Sequence, residues 1–437
     1  MKLRDFLKLM VMAMVLPLAF VACTENDEPE IPESVTLSAN DVDMLIGETL
    51  QLNATVATAV GNPSDLTWTS SNPNVATVDN TGKVTAVAPG EADIIASLGA
   101  GRASATCEVE VDAENMLLVF NGGSYYQSID GSLSVVKYEK SQKVNNDVFL
   151  NTNKRSLGAT PQDGIIFGDN LYIAVYQSNT IEVVNKYSFE SVEIIQLDEA
   201  TGLPRDIVAD DNYVYVSMYT GYVARIDPKT NKIDKTVQVG PNPEEMVIED
   251  DFLYVVNSDG MNYMDNYANG KTVSKVNLKS FTEEKKIPVG LNPTSIVESD
   301  DKLFVICSDY SAPTIWVIEN DSAKDTGILA SFMAEEDDVL YVIYFGYNED
   351  YSIGEITYNS YKTSDLSVVS SHFVKTPVDA PAGITVDDNR IFVSSYNQNV
   401  GFPLYSGEGY VNEYKMDGTL VKRYDVGVGP AHMLVVD

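Results

Sequence analysis

Short apolar strands recur along the chain, each placed behind a polar turn. The seven copies, of the type Leu-Tyr-Val, occupy 117–119, 171–173, 214–216, 253–255, 303–305, 340–342 and 391–393. Six of them follow a two-residue turn that contains aspartate, at 168–169, 210–211, 250–251, 300–301, 337–338 and 387–388. A spacing of roughly 40 to 50 residues is typical of one four-stranded sheet per repeat. The pattern therefore predicts an all-β fold, with a seven-bladed β-propeller over residues 113–437.

The end of the chain repeats the segment that leads into the other copies. Residues 428–437 match the lead-in at 289–297, whereas the first copy has no such strand directly before it. A C-terminal strand that completes the first blade closes the ring, and a closed ring has no exposed sheet edge on which other chains can add. We therefore expect the C-terminal strand to be the innermost strand of blade 1.

Composition and charge agree with this fold and exclude one class of partner. Hydrophobic residues make up 44% of the chain, and 28 Gly and 18 Pro suit strands joined by tight turns. The formal net charge is -35 and the pI is near 4.2. Because a phosphate backbone would be repelled by such a protein, nucleic acid is not an expected partner.

The first 22 residues have the pattern of an export signal. Basic residues precede an apolar run at 9–22, which is shorter than the roughly 20 residues of a membrane span. The run ends at Cys23 in a sequence that resembles a bacterial lipobox, which implies a lipoprotein signal peptide over 1–22 and lipidation of Cys23. An ordinary secretory signal is the alternative.

An acidic segment at 23–33 follows the signal and is too polar to pack. It resembles the surface-export signal of Bacteroidota lipoproteins, which implies an outer-membrane protein exposed at the cell surface. Contact with the membrane is then expected only through the lipid anchor. Cys107 and Cys307 lie in apolar runs of different domains, and we predict two buried thiols rather than a disulfide.

Residues 34–112 form a separate module in the sequence. The segments at 68–79, 82–87 and 89–90 resemble the bacterial Ig-like group 2 domain. In such a β-sandwich Trp68 would pack in the core, and residues 79–82 would form a hairpin turn. A single copy near an anchor implies a spacer, with adhesion as the alternative.

The propeller repeat resembles the YncE-like repeat, in which an outer strand ends before a turn and a proline begins the next inner strand. The segments Gly-Pro-Asn-Pro at 240–243 and Gly-Leu-Asn-Pro at 290–293 fit best, and blade 6 around 330–336 lacks the proline. In this arrangement the loops after the second strands open on the same face as the turns before the inner strands, where ligands usually bind.

The loops after the second strands are rich in Tyr and Asn. Such side chains combine broad apolar faces with hydrogen-bonding groups, which is typical of recognition surfaces. The predicted ligand-binding residues are Tyr125, Tyr126, Tyr176, Tyr219, Tyr263, Tyr267, Tyr310, Tyr347, Tyr396, Asn397 and His432. Packing of some of these tyrosines between blades is the alternative.

The sequence gives little support for a catalytic or metal-binding site. The chain has two histidines, and it contains no nucleophile elbow, phosphate loop or zinc-protease helix. We therefore expect no enzyme activity, no cofactor and no metal. His432 occupies a repeat position shared with Asp163, Asp206 and Glu245, where the four side chains would either hold a cation or an electron-poor ligand or stand as solvated residues of the rim.

Together, the anchor, tether, Ig-like spacer and Tyr-rich propeller resemble the cobalamin-binding propeller lipoproteins of Bacteroidota, of the BtuG type. This resemblance implies capture of a corrinoid at the cell surface and its delivery to a TonB-dependent transporter. Two alternatives remain open. One is a surface protein that binds glycans or host glycoproteins, and the other is a propeller enzyme such as a lyase or an oxidoreductase.

Overall fold

The computed structural model describes residues 34–57, 66–99, 103–125, 127–308, 312–349, 352–387, 389–397 and 407–436. The predicted signal peptide, acidic tether, Cys23, Tyr126 and Tyr310 lie outside these residues. The chain forms two compact units, Met1–Ala113 and Glu114–Asp437. Within the described ranges, no helix has the length and apolar character that a membrane span requires.

The N-terminal unit is an Ig-like β-sandwich. Its strands are β1 (Ser34–Leu37), β2 (Asp41–Leu45), β3 (Thr49–Gln51), β4 (Ala54–Ala57), β5 (Leu66–Ser70), β6 (Ala76–Val78), β7 (Lys83–Ala86), β8 (Gly90–Leu98) and β9 (Ala103–Asp112). The sheet β2-β9-β8-β5 and the sheet β3-β7-β6 enclose an apolar core, and half-buried Trp68 packs against it. Asp79 accepts hydrogen bonds from the backbone N–H groups of Thr81 and Lys83, which fixes the predicted turn between β6 and β7.

The C-terminal unit is a seven-bladed propeller, with seven four-stranded sheets among its described residues. The strands of the first three blades are β10 (Met116–Asn121), β11 (Ser132–Lys137) and β12 (Lys143–Asn145); β13 (Pro161–Phe167), β14 (Asn170–Val175), β15 (Thr180–Asn185) and β16 (Ser191–Gln196); and β17 (Pro204–Ala209), β18 (Val214–Met218), β19 (Tyr222–Asp227) and β20 (Lys232–Gln238). A short helix, α1 (Val148–Asn153), connects blades 1 and 2.

Blades 4 to 7 repeat the same order of strands. Their strands are β21 (Pro243–Glu249), β22 (Phe252–Asn257), β23 (Thr272–Asn277) and β24 (Thr282–Pro288); β25 (Pro293–Ser299), β26 (Lys302–Cys307), β27 (Thr314–Glu319) and β28 (Ser322–Leu329); β29 (Phe332–Glu336), β30 (Val339–Tyr347), β31 (Ile353–Lys362) and β32 (Val368–Ser370); and β33 (Ala380–Asp387), β34 (Arg390–Tyr396), β35 (Glu408–Lys415) and β36 (Leu420–Val428). A 3-10 helix at Gly260–Asp265 is inserted after β22.

The last strand, β37 (Pro430–Val436), closes the ring. It pairs antiparallel with β10 and is the innermost strand of blade 1, which confirms the predicted closure. Each inner strand contacts the inner strands of both neighbouring blades, from β13 round to β37 and back. The predicted apolar copies all lie in the second strands, whose central side chains are buried between blades.

Tight two-residue turns account for two of the Asp-Asp pairs. Asp300 and Asp301, and likewise Asp337 and Asp338, all have positive φ angles between 50° and 61° and form two-residue hairpin loops between inner and second strands. Both central residues of a type I′ turn adopt this left-handed conformation, and Asp tolerates it better than most residues.

In five blades the residue before the proline that begins the inner strand also adopts a left-handed conformation. In five blades these residues are Thr160, Leu203, Asn242, Asn292 and Gly429, with φ between 45° and 70°. In every case the carbonyl accepts a hydrogen bond from the backbone N–H of a residue just beyond the end of the second strand. This bond brings the start of the inner strand and the end of the second strand together on one side of the ring, which we call the upper face.

Candidate functional site

The most exposed large apolar side chains of the described residues lie on the upper face. Among the described residues the four most exposed large apolar side chains are Met264 (86%), Tyr125 (70%), Met261 (68%) and Tyr347 (66%), and Tyr263 is exposed as well. All five lie in or next to loops that follow a second strand, in blades 1, 4 and 6. They thus share one face of the ring but stand on three blades that are not neighbours. Large apolar side chains exposed on one face make that face a candidate binding surface.

The other predicted tyrosines are less accessible. Tyr176, Tyr219, Tyr396 and Asn397 lie on the upper face and are half-buried. Tyr267 is only 4% exposed, so its prediction as a ligand-binding residue is corrected. Its backbone turns left-handed, and it closes the loop with a hydrogen bond from its N–H to the carbonyl of Asn262. The exposed residues Met261 and Met264 were not predicted, although an apolar pair in a long polar loop is a visible signal.

Two of the half-buried tyrosines form a cluster with Arg205. The rings of Tyr176 and Tyr219 meet edge to face with centroids 5.7 Å apart, and the Arg205 guanidinium carbon lies 5.2 Å and 4.9 Å from the two centroids. Arg205 also donates hydrogen bonds to Glu244 Oε2 and Gln162 Oε1, both at 2.7 Å. The guanidinium is therefore held by two rings and two hydrogen-bond acceptors, which fixes this part of the rim.

A central channel of about 630 Å³ opens between the inner strands. The register between each inner strand and its second strand shows which residues of different blades are equivalent. Two such positions in each blade line the channel, an upper one nearer the upper face and a lower one next to it in sequence. From blade 2 round to blade 1, the upper position is occupied by Gln162, Arg205, Glu244, Thr294, Ser331, Ala382 and Ala431. The lower position is occupied by Asp163, Asp206, Glu245, Ser295, Phe332, Gly383 and His432.

The acidic lower-position residues connect neighbouring blades. Asp163 Oδ2 accepts a hydrogen bond from the N–H of Ile207 at 3.1 Å, and Asp206 Oδ2 accepts one from Met246 at 2.8 Å. Glu245 Oε2 accepts a bond from the Ser295 hydroxyl at 2.6 Å and another from the N–H of Ile296 at 3.1 Å. Each carboxyl group thereby holds the inner strand of the next blade.

His432 completes this series from the C-terminal strand. Its Nδ1 lies 2.5 Å from Oδ1 of Asp163, and the channel exposes 43% of the His432 side chain but only 6% of the Asp163 side chain. Asp206 is also buried. The interpretation of these residues as solvated rim groups is therefore corrected, because Asp163 and Asp206 are buried groups that hydrogen-bond across blades.

Burial and mutual charge shift the pKa values of this series in different directions. Burial alone would raise the pKa of Asp163, but the charge and hydrogen bond of His432 hold it below its ordinary value. Burial, followed by the charge of Asp163, raises the pKa of Asp206 well above its ordinary value. Burial also raises the pKa of Glu245. Burial alone would lower the pKa of His432, but the nearby charge of Asp163 outweighs burial and raises this pKa to about 9. The series therefore contains the ion pair of Asp163 and His432 beside two carboxyl groups whose ionisation is disfavoured by burial.

An aromatic series leads from the channel to the rim of blade 6. The rings of Phe332 and Phe345 have centroids 6.2 Å apart, and those of Phe345 and Tyr347 meet edge to face at 5.8 Å. The Ser331 hydroxyl accepts a hydrogen bond from the N–H of Phe345 at 3.2 Å, which positions the middle ring. These three aromatic rings form a continuous apolar surface on the blade 6 side.

The described residues contain no group of three or more His, Cys, Asp or Glu side chains that could hold a metal ion. Cys107 and Cys307 are both buried free thiols, one in each structural unit. Burial raises the pKa of Cys307 to about 12, so its thiol stays protonated and unreactive.

Curated relatives match limited parts of the chain. An uncharacterized protein of Clostridium acetobutylicum is 32% identical over 98 residues, which is 22% of this chain and 10% of the relative. A lacto-N-biosidase of Bifidobacterium bifidum is 41% identical over 100 residues, which is 20% of this chain and 9% of the relative. The chain thus spans about a tenth of the length of these relatives.

Solved structures resemble the chain in fold at low sequence identity. Hydrazine synthase of Kuenenia stuttgartiensis has a TM-score of 0.50 and 13% identity, with 63% of this chain and 95% of that chain covered. A quinonprotein alcohol dehydrogenase-like protein of Bacteroides thetaiotaomicron has a TM-score of 0.49 and 13% identity, with 90% of this chain and 96% of the other covered. Identity at this level concerns the fold alone.

Family comparisons match both structural units. Residues 32–109 match the bacterial Ig-like domain (group 2), in agreement with the β-sandwich. Residues 116–400 match the family described as domain of unknown function DUF5074, and this match covers most of the propeller and more than half of the chain. The protein is therefore a member of the DUF5074 family that carries an Ig-like domain ahead of a seven-bladed propeller.

Proposed function

We propose that this protein is a non-enzymatic ligand-capture lipoprotein of the cell surface, with a corrinoid such as cobalamin as its ligand. The observation that carries the proposal is the group of exposed apolar side chains on the upper face, Tyr125, Met261, Tyr263, Met264 and Tyr347. They belong to loops on the face where the central channel begins. A binding site for a large amphipathic molecule needs this combination of apolar contact area and nearby hydrogen-bonding groups.

The shape of the site suits a ligand that is held mainly outside the channel. A volume of about 630 Å³ lies within the range of about 300–1,000 Å³ that is usual for small-molecule pockets. A corrinoid is larger than a typical pocket ligand, so its ring would rest on the exposed side chains and only a substituent would enter. Methionine side chains adapt to irregular apolar surfaces, and tyrosines supply rigid faces with a hydroxyl group.

The cellular setting of the proposal comes from the sequence. Lipidation of Cys23 would anchor the chain in the outer membrane, and the acidic segment 23–33 would serve as a tether. The Ig-like domain would act as a spacer, and a TonB-dependent transporter would receive the corrinoid. The YncE-like repeat and the resemblance to BtuG-type propellers support this assignment.

Calorimetry with cyanocobalamin tests the proposal. The protein is prepared from residue 34 onward, so that it contains both structural units without the lipid anchor. We expect tight binding by the unmodified protein and a loss of roughly tenfold or more when Tyr125, Tyr263, Met264 and Tyr347 are replaced together by Ser. The absence of heat and of any spectral change with cyanocobalamin would eliminate this ligand.

A matched control separates the upper face from exposed apolar side chains in general. Val192, Ile194, Val368 and Val369 are also exposed, and they lie in the outer strands β16 and β32. Their joint replacement by Ser should leave the affinity within about twofold, because outer strands are remote from the channel. An equal loss in both quadruple variants would contradict a site on the upper face.

A glycan is the second candidate ligand, and it is favoured by the exposed rings of Tyr125 and Tyr347. Aromatic faces stack on sugar rings as readily as on other flat apolar surfaces. A glycan array probed with the same protein decides between the two candidates. Binding to a defined glycan that the quadruple Tyr and Met variant abolishes, together with no response to cyanocobalamin, would establish the glycan.

A further inference from the structure

The mouth of the channel has two unlike sides. In blades 2 to 4 the upper position is filled by the long side chains Gln162, Arg205 and Glu244, which are hydrogen-bonded to one another. In blades 6, 7 and 1 the same position is occupied by Ser331, Ala382 and Ala431. The side chains are therefore short along three consecutive blades, and we call this gap the notch.

The backbone around the notch is closely packed. A Cβ atom at Gly383 would lie 2.4 Å from the carbonyl oxygen of Ala431, so the inner strands of blades 7 and 1 approach each other at a distance that only glycine permits. At the lower position of blade 7 the place of a side chain is thus taken by the backbone of Ala431. The notch opens at the upper position, where Ser331, Ala382 and Ala431 leave more room for a ligand substituent than the long side chain of Arg205 does on the opposite side.

The base of the notch offers one hydrogen-bond donor. His432 directs Nδ1 to Asp163 and is 43% exposed to the channel. Among the described residues no hydrogen bond is made by its Nε2, which is the remaining polar atom of the ring. A carboxylate partner on one ring nitrogen orients an imidazole so that the other nitrogen faces a ligand.

An aromatic side chain stands at the end of the notch. Phe332 occupies the lower position of blade 6, and its ring is followed by Phe345 toward the rim. A flat group that enters the notch would thus meet an aromatic surface on one side and the His432 donor on the other.

We propose that the notch binds a flat aromatic substituent of the ligand together with an adjoining anionic or carbonyl acceptor, with the aromatic group against Phe332 and the acceptor on Nε2 of His432. This inference rests on the proposed function. For a corrinoid, the part with this chemistry is the nucleotide arm, which joins a benzimidazole base to a ribose phosphate, rather than the corrin ring.

Two probes test the proposal, cyanocobalamin and dicyanocobinamide, which lacks the base, the ribose and the phosphodiester. The unmodified protein should bind cyanocobalamin roughly tenfold or more tightly than dicyanocobinamide, as expected for one good hydrogen bond and one aromatic contact. His432→Gln should reduce that preference to less than about threefold while it leaves dicyanocobinamide affinity nearly unchanged.

Filling the notch provides a second variant. Ala431 is exposed to the channel, and Ala431→Trp should remove the preference for cyanocobalamin. The matched control is Thr294→Trp, at the same level of blade 5 outside the notch, which should retain the preference. A single cooperative urea transition, with its midpoint well above the conditions of the binding assay, establishes that each variant is folded.

The pH dependence gives a readout that a purely structural role of His432 would not produce. The preference for cyanocobalamin should decline as the pH rises above about 9, where His432 loses its proton, and it should be flat with pH in His432→Gln. Equal affinity for both probes, unchanged by either variant, would overturn the notch assignment while the proposed function stands. Failure of both probes to bind would overturn the proposed function and the notch assignment together.

Discussion

Nδ1 of His432 lies 2.5 Å from Oδ1 of Asp163, and this ion pair joins the C-terminal strand β37 to β13, the inner strand of blade 2. Asp163→Asn leaves the imidazolium without its charged partner. We expect the free energy of unfolding at pH 8 to fall by about 2–3 kcal/mol, less than for a fully buried pair because the channel partly solvates His432. Urea unfolding followed by tryptophan fluorescence measures the change.

Asp206→Asn is the matched variant, one blade further round the ring. The pKa of Asp206 is raised by burial and by Asp163, so its ionised form is unfavourable and an amide can replace it. The amide oxygen can still accept the hydrogen bond from the N–H of Met246. We expect a change within about 0.5 kcal/mol, or a gain in stability. A loss equal to that of Asp163→Asn would contradict the assigned protonation states.

The same series predicts that stability declines toward alkaline pH. The pKa of His432 is raised from 6.5 to about 9 in the folded protein, so its contribution is complete below pH 6.5 and is lost as the pH rises through 9. Asp206 and Glu245 act in the same direction, because acids with raised pKa values lose stability as the pH increases. Urea midpoints measured from pH 6 to 10 should decrease, and the decrease should be smaller in His432→Gln. Parallel curves for the two proteins would show that His432 does not carry this dependence.

Thr160 has a conformation that its side chain disfavours. Its φ of 61° is left-handed, whereas Asn242 occupies the equivalent position of blade 4 with a φ of 45°. A β-branched residue is strained in this region and Asn is not, so Thr160→Asn should raise the free energy of unfolding by about 0.5–1 kcal/mol.

The reverse exchange serves as the control for this position. Asn242 donates a hydrogen bond from Nδ2 to the carbonyl of Tyr219 and accepts one from the N–H of Met261. Asn242→Thr should therefore destabilise the protein by more than Thr160→Asn stabilises it. Stabilisation by Asn242→Thr would refute the conformational argument.

Arg205 should be sensitive even to replacement by lysine. Lysine keeps the charge but cannot bind Glu244 and Gln162 together while its head group remains between Tyr176 and Tyr219. We expect Arg205→Lys to lower the free energy of unfolding by about 1.5–3 kcal/mol. The control is Arg423→Lys, because the Arg423 guanidinium carbon lies 3.6 Å from the Tyr410 ring centroid but the side chain is 40% exposed. There the loss should stay below about 1 kcal/mol, and similar losses at both positions would contradict a special role for the rim cluster.

Most of the fold could be predicted from the sequence because each blade appears there as one copy of a repeat. The second strands are buried on both faces, so their apolar copies stand out, and the match of 428–437 to an internal segment indicated the closure of the ring. The aspartate-containing turns were predicted from their place before each apolar copy, and at 300–301 and 337–338 both residues have positive φ.

The site was predicted less completely, because exposure depends on tertiary packing. Tyr263 and Tyr267 lie in one loop and look equivalent in the sequence, yet Tyr263 is 58% exposed and Tyr267 is 4% exposed. Tyr267 has a left-handed backbone at the end of this loop, and no local pattern in the sequence signals its burial. Likewise, the shared repeat position of His432 and Asp163 was visible, but their burial and contact follow only from the geometry of neighbouring inner strands.

A crystal structure of the protein with cyanocobalamin tests the central claim most directly, because anomalous scattering from cobalt locates the ligand independently of its refined atoms. We predict one cobalt peak above the channel mouth on the upper face, with the corrin ring in contact with side chains among Tyr125, Tyr263, Met264 and Tyr347. A cobalt peak on the opposite face or against the outer strands, or no bound cobalt at saturating ligand, would contradict the account.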